Sequence, residues 1–208
     1  MCGTPAVLHA LYETNNLHPY VPPTPLQRDI ATLIQRRHQV VKNRSAMQIS
    51  LRHVAGCARS FKQLIKAFQT LIADIDAQLK ALMAQVAELD TARARLASIS
   101  GIGPLISTAL AVRLSRVHYA SSDARVAALG LDPRPRDSGQ MVGRRCWSKH
   151  GNAEERRLMY IAAVSAFRTK LWRPVVDKLS QRGFSKIAVH CIIARKLLRI
   201  ALAVWNFR

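Results

Sequence analysis

Carboxylates are scarce in this chain. Twelve Asp and Glu stand against 32 Lys and Arg in 208 residues, a formal net charge of +20. Such an excess repels itself in a compact state, and a phosphate backbone relieves it, because neutralised phosphates release their counterions. Cysteine is equally sparse. Cys2, Cys57, Cys146 and Cys191 lie far apart without a C-x-x-C pair, which supports neither a zinc site nor a disulfide framework, and they are taken as reduced thiols. Long apolar runs are missing too: the stretch from Ile200 to Phe207 falls far short of the ~20 residues that span a bilayer. No membrane helix is expected. The N-terminus lacks a basic region followed by an apolar one, so the expected location is the cytoplasm.

The charge that is present is unevenly placed. Residues 1–95 hold 12 basic and 6 acidic residues, whereas 96–208 hold 20 and 6. The second half is therefore the main nucleic-acid candidate. Residues 18–25 contain four of the nine prolines and read as an extended linker, since each ring fixes φ and removes a donor. Helical spacing follows. Leu26, Ile30, Leu33, Val40, Met47, Leu51 and Val54 form one stripe, broken by Arg37 and Arg44. After Ala55-Gly56 a second runs from Phe61 through Leu64, Phe68, Leu71, Ile75, Leu79, Leu82 and Val86 to Leu89. The pair predicts a long antiparallel helical hairpin of coiled-coil type. Arg28, Arg36, Arg37, Lys42, Arg44 and Arg52 make its first helix basic, which suits either a solvated face or a phosphate backbone.

Leu96-Ala-Ser-Ile-Ser-Gly101-Ile102-Gly103-Pro104 precedes an apolar helix through Leu114 and predicts a helix-hairpin-helix element. Gly101 and Gly103 permit a tight turn that presents backbone N–H groups at the next helix's N-terminus, a place that favours phosphate; a purely structural turn is the alternative. Ser121-Ser122-Asp123 can cap a short helix ended by Gly130. Asn152 with Glu155 suggests a capping box for a helix to about Thr169, Pro174 opens another that Gly183 closes, and Ile187 to Val204 forms a last amphipathic helix. No strand-like alternation of useful length appears here. The expected fold is all-α, with residues 1–25 as a remnant and linker, 26–95 as the hairpin and 96–208 as a compact helical domain.

The chemically richest segment is the basic loop between Pro133 and Gly151. Arg134, Arg136, Arg144, Arg145 and Lys149 surround Ser138-Gly139. A serine hydroxyl is a poor nucleophile without a base or metal to take its proton. The four arginines could clamp a scissile phosphate and stabilise charge developing during transfer. His150 could shuttle a proton or be a surface residue, Asp137 is a possible base or a turn former, and Ser148 is a second candidate nucleophile. Trp147 fits an anchor into the core better than a base-stacking platform. Read from residues alone, Ser138 is better explained as a Ser-Gly turn in a phosphate-binding loop than as a nucleophile.

The order Ile99-Ser-Gly-Ile-Gly-Pro104, Gly130-Leu-Asp-Pro133, Ser138-Gly139, Gly143-Arg144-Arg145, Lys149-His-Gly-Asn152, Arg157-Leu158 and Ala162-Ala163 resembles the insertion-sequence transposases related to the Piv DNA invertase, the bridge-RNA-guided serine recombinases. The resemblance implies a two-part active site. An N-terminal RNase H-like domain carries acidic residues that bind Mg2+, and the C-terminal domain supplies a serine, here Ser138, that attacks a DNA phosphodiester. It further implies DNA and a guide RNA as partners, phosphate contacts from the loop cations, and assembly as a homo-oligomer through the coiled coil. This chain holds neither the acidic set nor a cofactor site of its own. Thr4-Pro5-Ala6 stands where the family's last acidic motif is expected, and Glu13 is the first acidic residue. The expectation is a truncated transposase, inactive without the missing metal domain; the alternative is a non-catalytic protein that binds nucleic acid or an intact transposase.

Overall fold

A computed structural model describes residues 22–134 and 146–207. Helix α1 (Pro25–Ser50) starts from Thr24, whose hydroxyl accepts the Gln27 amide at 3.2 Å while the Gln27 side chain accepts the Thr24 amide at 3.1 Å. Pro25 costs nothing at the first helical position, where no backbone donor is needed. A 3-10 turn (Ala55–Cys57) leads into α2 (Ala58–Ala84), which runs back along α1. The two are tied by a forked pair: Arg37 donates to both carboxylate oxygens of Asp76, at 2.6 and 2.9 Å. The arginine that interrupts the apolar stripe of the first helix thus has a local reason to be there.

Helix α2 stops earlier than its apolar stripe suggests. The chain turns at Gln85–Val86, where Val86 is extended (φ −126°, ψ 97°), and restarts as α3 (Ala87–Ala97). The break redirects the stripe: Leu89, Ala92 and Leu96 are buried in α3, which packs against α4 (Pro104–Leu114) across the Gly101–Gly103 turn. Helix α5 (Ser122–Leu129) is capped by Ser121 and ended by Gly130 in the left-handed region at φ 71°. Two-residue strands follow, β1 (Pro133–Arg134) and β2 (Cys146–Trp147), paired antiparallel. They are too short to leave an alternating signature in the sequence.

Helix α6 (Ala153–Phe167), a 3-10 turn (Lys170–Trp172), α7 (Arg173–Gln181) and α8 (Lys186–Asn206) complete the chain. The core is centred on α6 against α8. Ala162, Ala163 and Ala166 are fully buried in α6, and Ile193, Ala194, Leu197 and Ala201 in α8. Small residues on both sides let the helix axes approach closely, so the surrounding Leu and Ile side chains can interdigitate. Among the described residues the fold is all-α apart from the two-residue ribbon. Among the described residues no helix is long and apolar enough to cross a membrane.

Candidate nucleic-acid interface

The ribbon sets the site. Pro133 pairs with Trp147 and Arg134 with Cys146, so the two ends of the basic segment are fastened side by side. Ser148 strengthens the fastening twice: its amide donates to the Asp132 carbonyl at 3.0 Å, and its hydroxyl donates to the Asp132 carboxylate. The other carboxylate oxygen accepts from Arg134 Nε at 3.0 Å. Partial burial would raise the Asp132 carboxyl, but the hydrogen bonds from Ser148 and Arg134 outweigh it and hold it below the usual carboxylate range. A carboxylate so stabilised is a weak base. Ser148 is therefore a donor that pins the ribbon.

Behind the ribbon the backbone follows a tight path. Lys149 adopts φ 59°, the sole non-glycine with positive φ among the described residues, and its amide donates to the Gly130 carbonyl at 3.1 Å. That conformation costs a lysine on the order of 1–2 kcal/mol. Gly130 and Gly151 make the crossing possible. A Cβ on Gly130 would lie 2.2 Å from the His150 carbonyl oxygen, and one on Gly151 would lie 2.1 Å from that of Ala128. Arg156 then locks the crossing, donating through Nη1 to the carbonyls of His150 at 2.5 Å and Gly151 at 2.9 Å. Asn152 caps α6 by accepting from the Glu154 and Glu155 amides. The result leaves the Lys149 and His150 side chains exposed, and Arg134 in β1 is 62% exposed.

Buried groups hold the ribbon's support in place. Arg125 in α5 is 1% exposed and donates to Glu155 of α6 at 2.9 Å and to the Tyr119 hydroxyl at 2.8 Å, while Arg113 of α4 approaches the same Glu155 at 3.5 Å. Three helices meet on one carboxylate. On the other side, Trp147 of β2 meets Tyr160 edge-on at 6.4 Å, and the Tyr160 hydroxyl is 3.3 Å from Nδ1 of the buried His190. Trp147 is an anchor, as the sequence reading favoured.

The glycine turn lies elsewhere. Gly101 has φ 104°, and a Cβ there would meet Ala166 Cβ at 2.6 Å and the Ala162 carbonyl oxygen at 2.9 Å. Its smallness serves close packing on α6. Gly103 has an ordinary φ of −85°, open space around it and the N-cap place of α4. The start of α4 borders a cleft of about 250 Å³ lined also by Arg37, His38 and Arg157. Both arginines are engaged, Arg37 by Asp76 and Arg157 by Glu154. The turn contacts the second half of α6 and the ribbon adjoins its start, so roughly 15–20 Å of helix separates the two places.

Of the site residues expected from sequence, Arg134 lies in β1 and Lys149 two residues past the end of β2, both exposed, and Gly101 and Gly103 form the separate turn. Ser138, Arg136, Gly139, Arg144 and Arg145 lie outside the described residues, as does Asp137. The sequence reading missed Asp132 with Ser148, Arg156, and Arg125 with Glu155. Only Glu155 had a local signal, as the fourth residue of the capping box; its side chain instead turns to Arg125.

The carboxylates do not suit a Mg2+ ion. No group of three or more His, Cys, Asp or Glu converges among the described residues. Asp132, Glu154 and Glu155 near the ribbon are each already held by arginine.

No curated protein matches the chain. A family model does: residues 93–176, from within α3 to within α7, match the Transposase IS116/IS110/IS902 family. Over the helices that build and support the ribbon, the chain is therefore similar to the transposases of that family.

Proposed function

We propose that the chain is the nucleic-acid-handling part of an insertion-sequence transposase, with Ser138 as its nucleophile. The observation that carries this reading is the coincidence of two facts. The matched segment 93–176 spans the whole ribbon and its supports, and the segment carrying Ser138 leaves and returns through paired positions Arg134 and Cys146. Exposed Arg134 and Lys149 at that base, with Arg136, Arg144 and Arg145 in the connecting sequence, supply cations for a DNA phosphate. Gly101 and Gly103 offer a second backbone contact.

In the proposed reaction the Ser138 Oγ–P bond forms as the P–O bond to deoxyribose breaks, and the serine proton leaves with the displaced hydroxyl. Phosphodiester energy is kept in the protein–DNA ester, so rejoining needs no external energy source. The family resemblance adds a guide RNA and homo-oligomers formed through the helical hairpin, and the proposed location is the cytoplasm. Because the carboxylates near the ribbon are committed to arginines, the acidic residues that serve the serine come from another chain or segment, and the chain is inactive alone. The same commitment favours a second reading, a non-catalytic protein that binds nucleic acid or an intact transposase.

The two are separated by incubating the chain with cognate DNA, guide RNA, Mg2+ and an RNase H-like domain from an intact relative. A protein–DNA adduct on a denaturing gel that disappears in Ser138→Ala supports the nucleophile. Binding without any adduct supports the second reading.

A further inference from the structure

We propose that Tyr160 is a positioning residue for the ribbon: its ring, held in place by His190, sets where Trp147 sits and so where the segment carrying Ser138 returns at Cys146. Of the two residues of β2, Cys146 is exposed and Trp147 packs against the core, so the inward hold of that strand is the indole. Trp147 meets Tyr160 with the ring planes at 84°, Tyr160 meets His190 at 5.6 Å and 88°, and Phe167 meets His190 at 4.8 Å and 75°. This row leads from the ribbon through α6 into α8, and every contact in it is edge-on. Such contacts depend on the tilt of each ring as well as on the area it buries.

The tilt of Tyr160 is fixed at its hydroxyl, which among the described residues has one partner, Nδ1 of His190 at 3.3 Å. Neutral His190 accepts that hydroxyl in the tautomer that carries the ring's own proton on Nε2. Protonation turns Nδ1 into a donor and ends the arrangement. The new charge has no counter-ion to meet. The charged groups that bear on the ring are Lys186, one turn earlier on α8 with its amine over the Phe167 ring at 5.7 Å, and Arg168, just past the end of α6. Helices α3, α4, α5 and α7 also pack on α8 and bring no charge that bears on His190 among the described residues; the Asp123–Arg199 pair between α5 and α8 lies more than two turns further along. Cys191, the next residue, is kept a neutral thiol by burial. Burial and the two cations hold His190 neutral until the pH falls below the ordinary imidazole range. There Tyr160 loses its acceptor, and Trp147 its support.

The consequence for the segment carrying Ser138 rests on the reading given above, but the test is made on the full chain without DNA, so either can fail while the other stands. The chain labelled with fluorotryptophan gives fluorine resonances from Trp147, Trp172 and Trp205, and the line that vanishes in Trp147→Phe is that of Trp147. At neutral pH that line is expected to move by more than its own width in Tyr160→Phe and in His190→Leu. In His190→Asn it is expected to stay at the parent position, because the asparagine Oδ1 stands where Nδ1 stood and accepts the same hydroxyl. Taken from about pH 7.5 to about 5.5, the parent line should titrate with a midpoint below the ordinary imidazole value, whereas the His190→Asn line should stay flat. Trp205, near the far end of α8, reports unfolding and should keep its position throughout. A Trp147 line that stays in place in Tyr160→Phe, that titrates in His190→Asn as in the parent, or that moves with acid only together with that of Trp205, overturns the proposal.

Discussion

Arg125 donates to Glu155 at 2.9 Å from a side chain that is 1% exposed, and this pair joins the helix before the ribbon to the helix after it. Tyr119 and Arg113 surround the pair, so the charge is shared rather than isolated. Removing one partner leaves the other buried without its counter-charge. Arg125→Met and Glu155→Gln are each expected to destabilise the protein by about 3–5 kcal/mol in thermal or urea unfolding. A loss below about 1 kcal/mol in both would show that the pair does not hold α5 to α6.

The glycines separate into two kinds. Gly130→Ala and Gly151→Ala place a Cβ little more than 2 Å from backbone oxygen at positive φ, and each is expected to cost at least about 2 kcal/mol. Gly103→Ala meets open space at an ordinary φ and is expected to change stability by less than about 1 kcal/mol. Unfolding curves for the three variants measure the difference directly. Gly103→Ala is consequently the variant that can test for a phosphate contact at the start of α4 without disturbing the fold.

Stability is expected to fall on mild acidification through His190. Burial lowers its pKa first, and nearby Lys186 and Arg168 lower it further, so the folded state binds its proton less readily than the unfolded chain does at about pH 6.5. The unfolded state then takes up the proton first as pH falls. The contribution of neutral His190 is present above about pH 6.5 and is lost progressively below it, toward the folded pKa. The midpoint temperature should drop between pH 7.5 and 5.5 in the parent and drop less in His190→Leu. Equal drops in both would remove His190 from this role.

Arg134 and Lys149 are the exposed cations of the ribbon, and replacing both with Gln is expected to flatten the salt dependence of DNA binding by about 1.8 in slope without lowering thermal stability by more than about 1 kcal/mol. Salt titrations on parent and variant give the comparison. Lys149→Gly, which relieves the positive φ, should keep or raise stability while still weakening DNA binding.

Helix placement was legible because its signals are local. Ser121 and Asn152 at the caps, Gly130 and Gly183 at the ends, and apolar residues at 3–4 spacing mark most of the helices, whereas Thr24, read as part of the linker, caps α1. The break at Gln85–Val86 was not legible, since nothing but the packing of α3 on α4 requires it and the apolar spacing continues through it. The cluster of cations around Ser138 is a sequence expectation that lies mostly outside the described residues. The mounting of its two ends was not legible: Asp132 with Ser148, Arg156 with the His150 carbonyl, and Arg125 with Glu155 join positions whose side chains carry no periodic signal. Gly101 shows the same limit. A Gly-x-Gly turn suggests a phosphate cradle by sequence, whereas Gly101 is required by the approach of Ala162 and Ala166, residues sixty and more positions away.

The central claim is that Ser138 becomes joined to DNA, and tryptic mapping of the covalent adduct tests it most directly. Cleavage after Arg136 and Arg144 yields a peptide from Asp137 to Arg144 in which Ser138 is the only hydroxyl side chain. With the acidic domain, guide RNA and Mg2+ supplied, mass spectrometry after nuclease digestion should find a nucleotide phosphate on that peptide, absent in Ser138→Ala. A nucleotide attached instead to the peptide containing Ser148, or an adduct that persists in Ser138→Ala, would contradict the account.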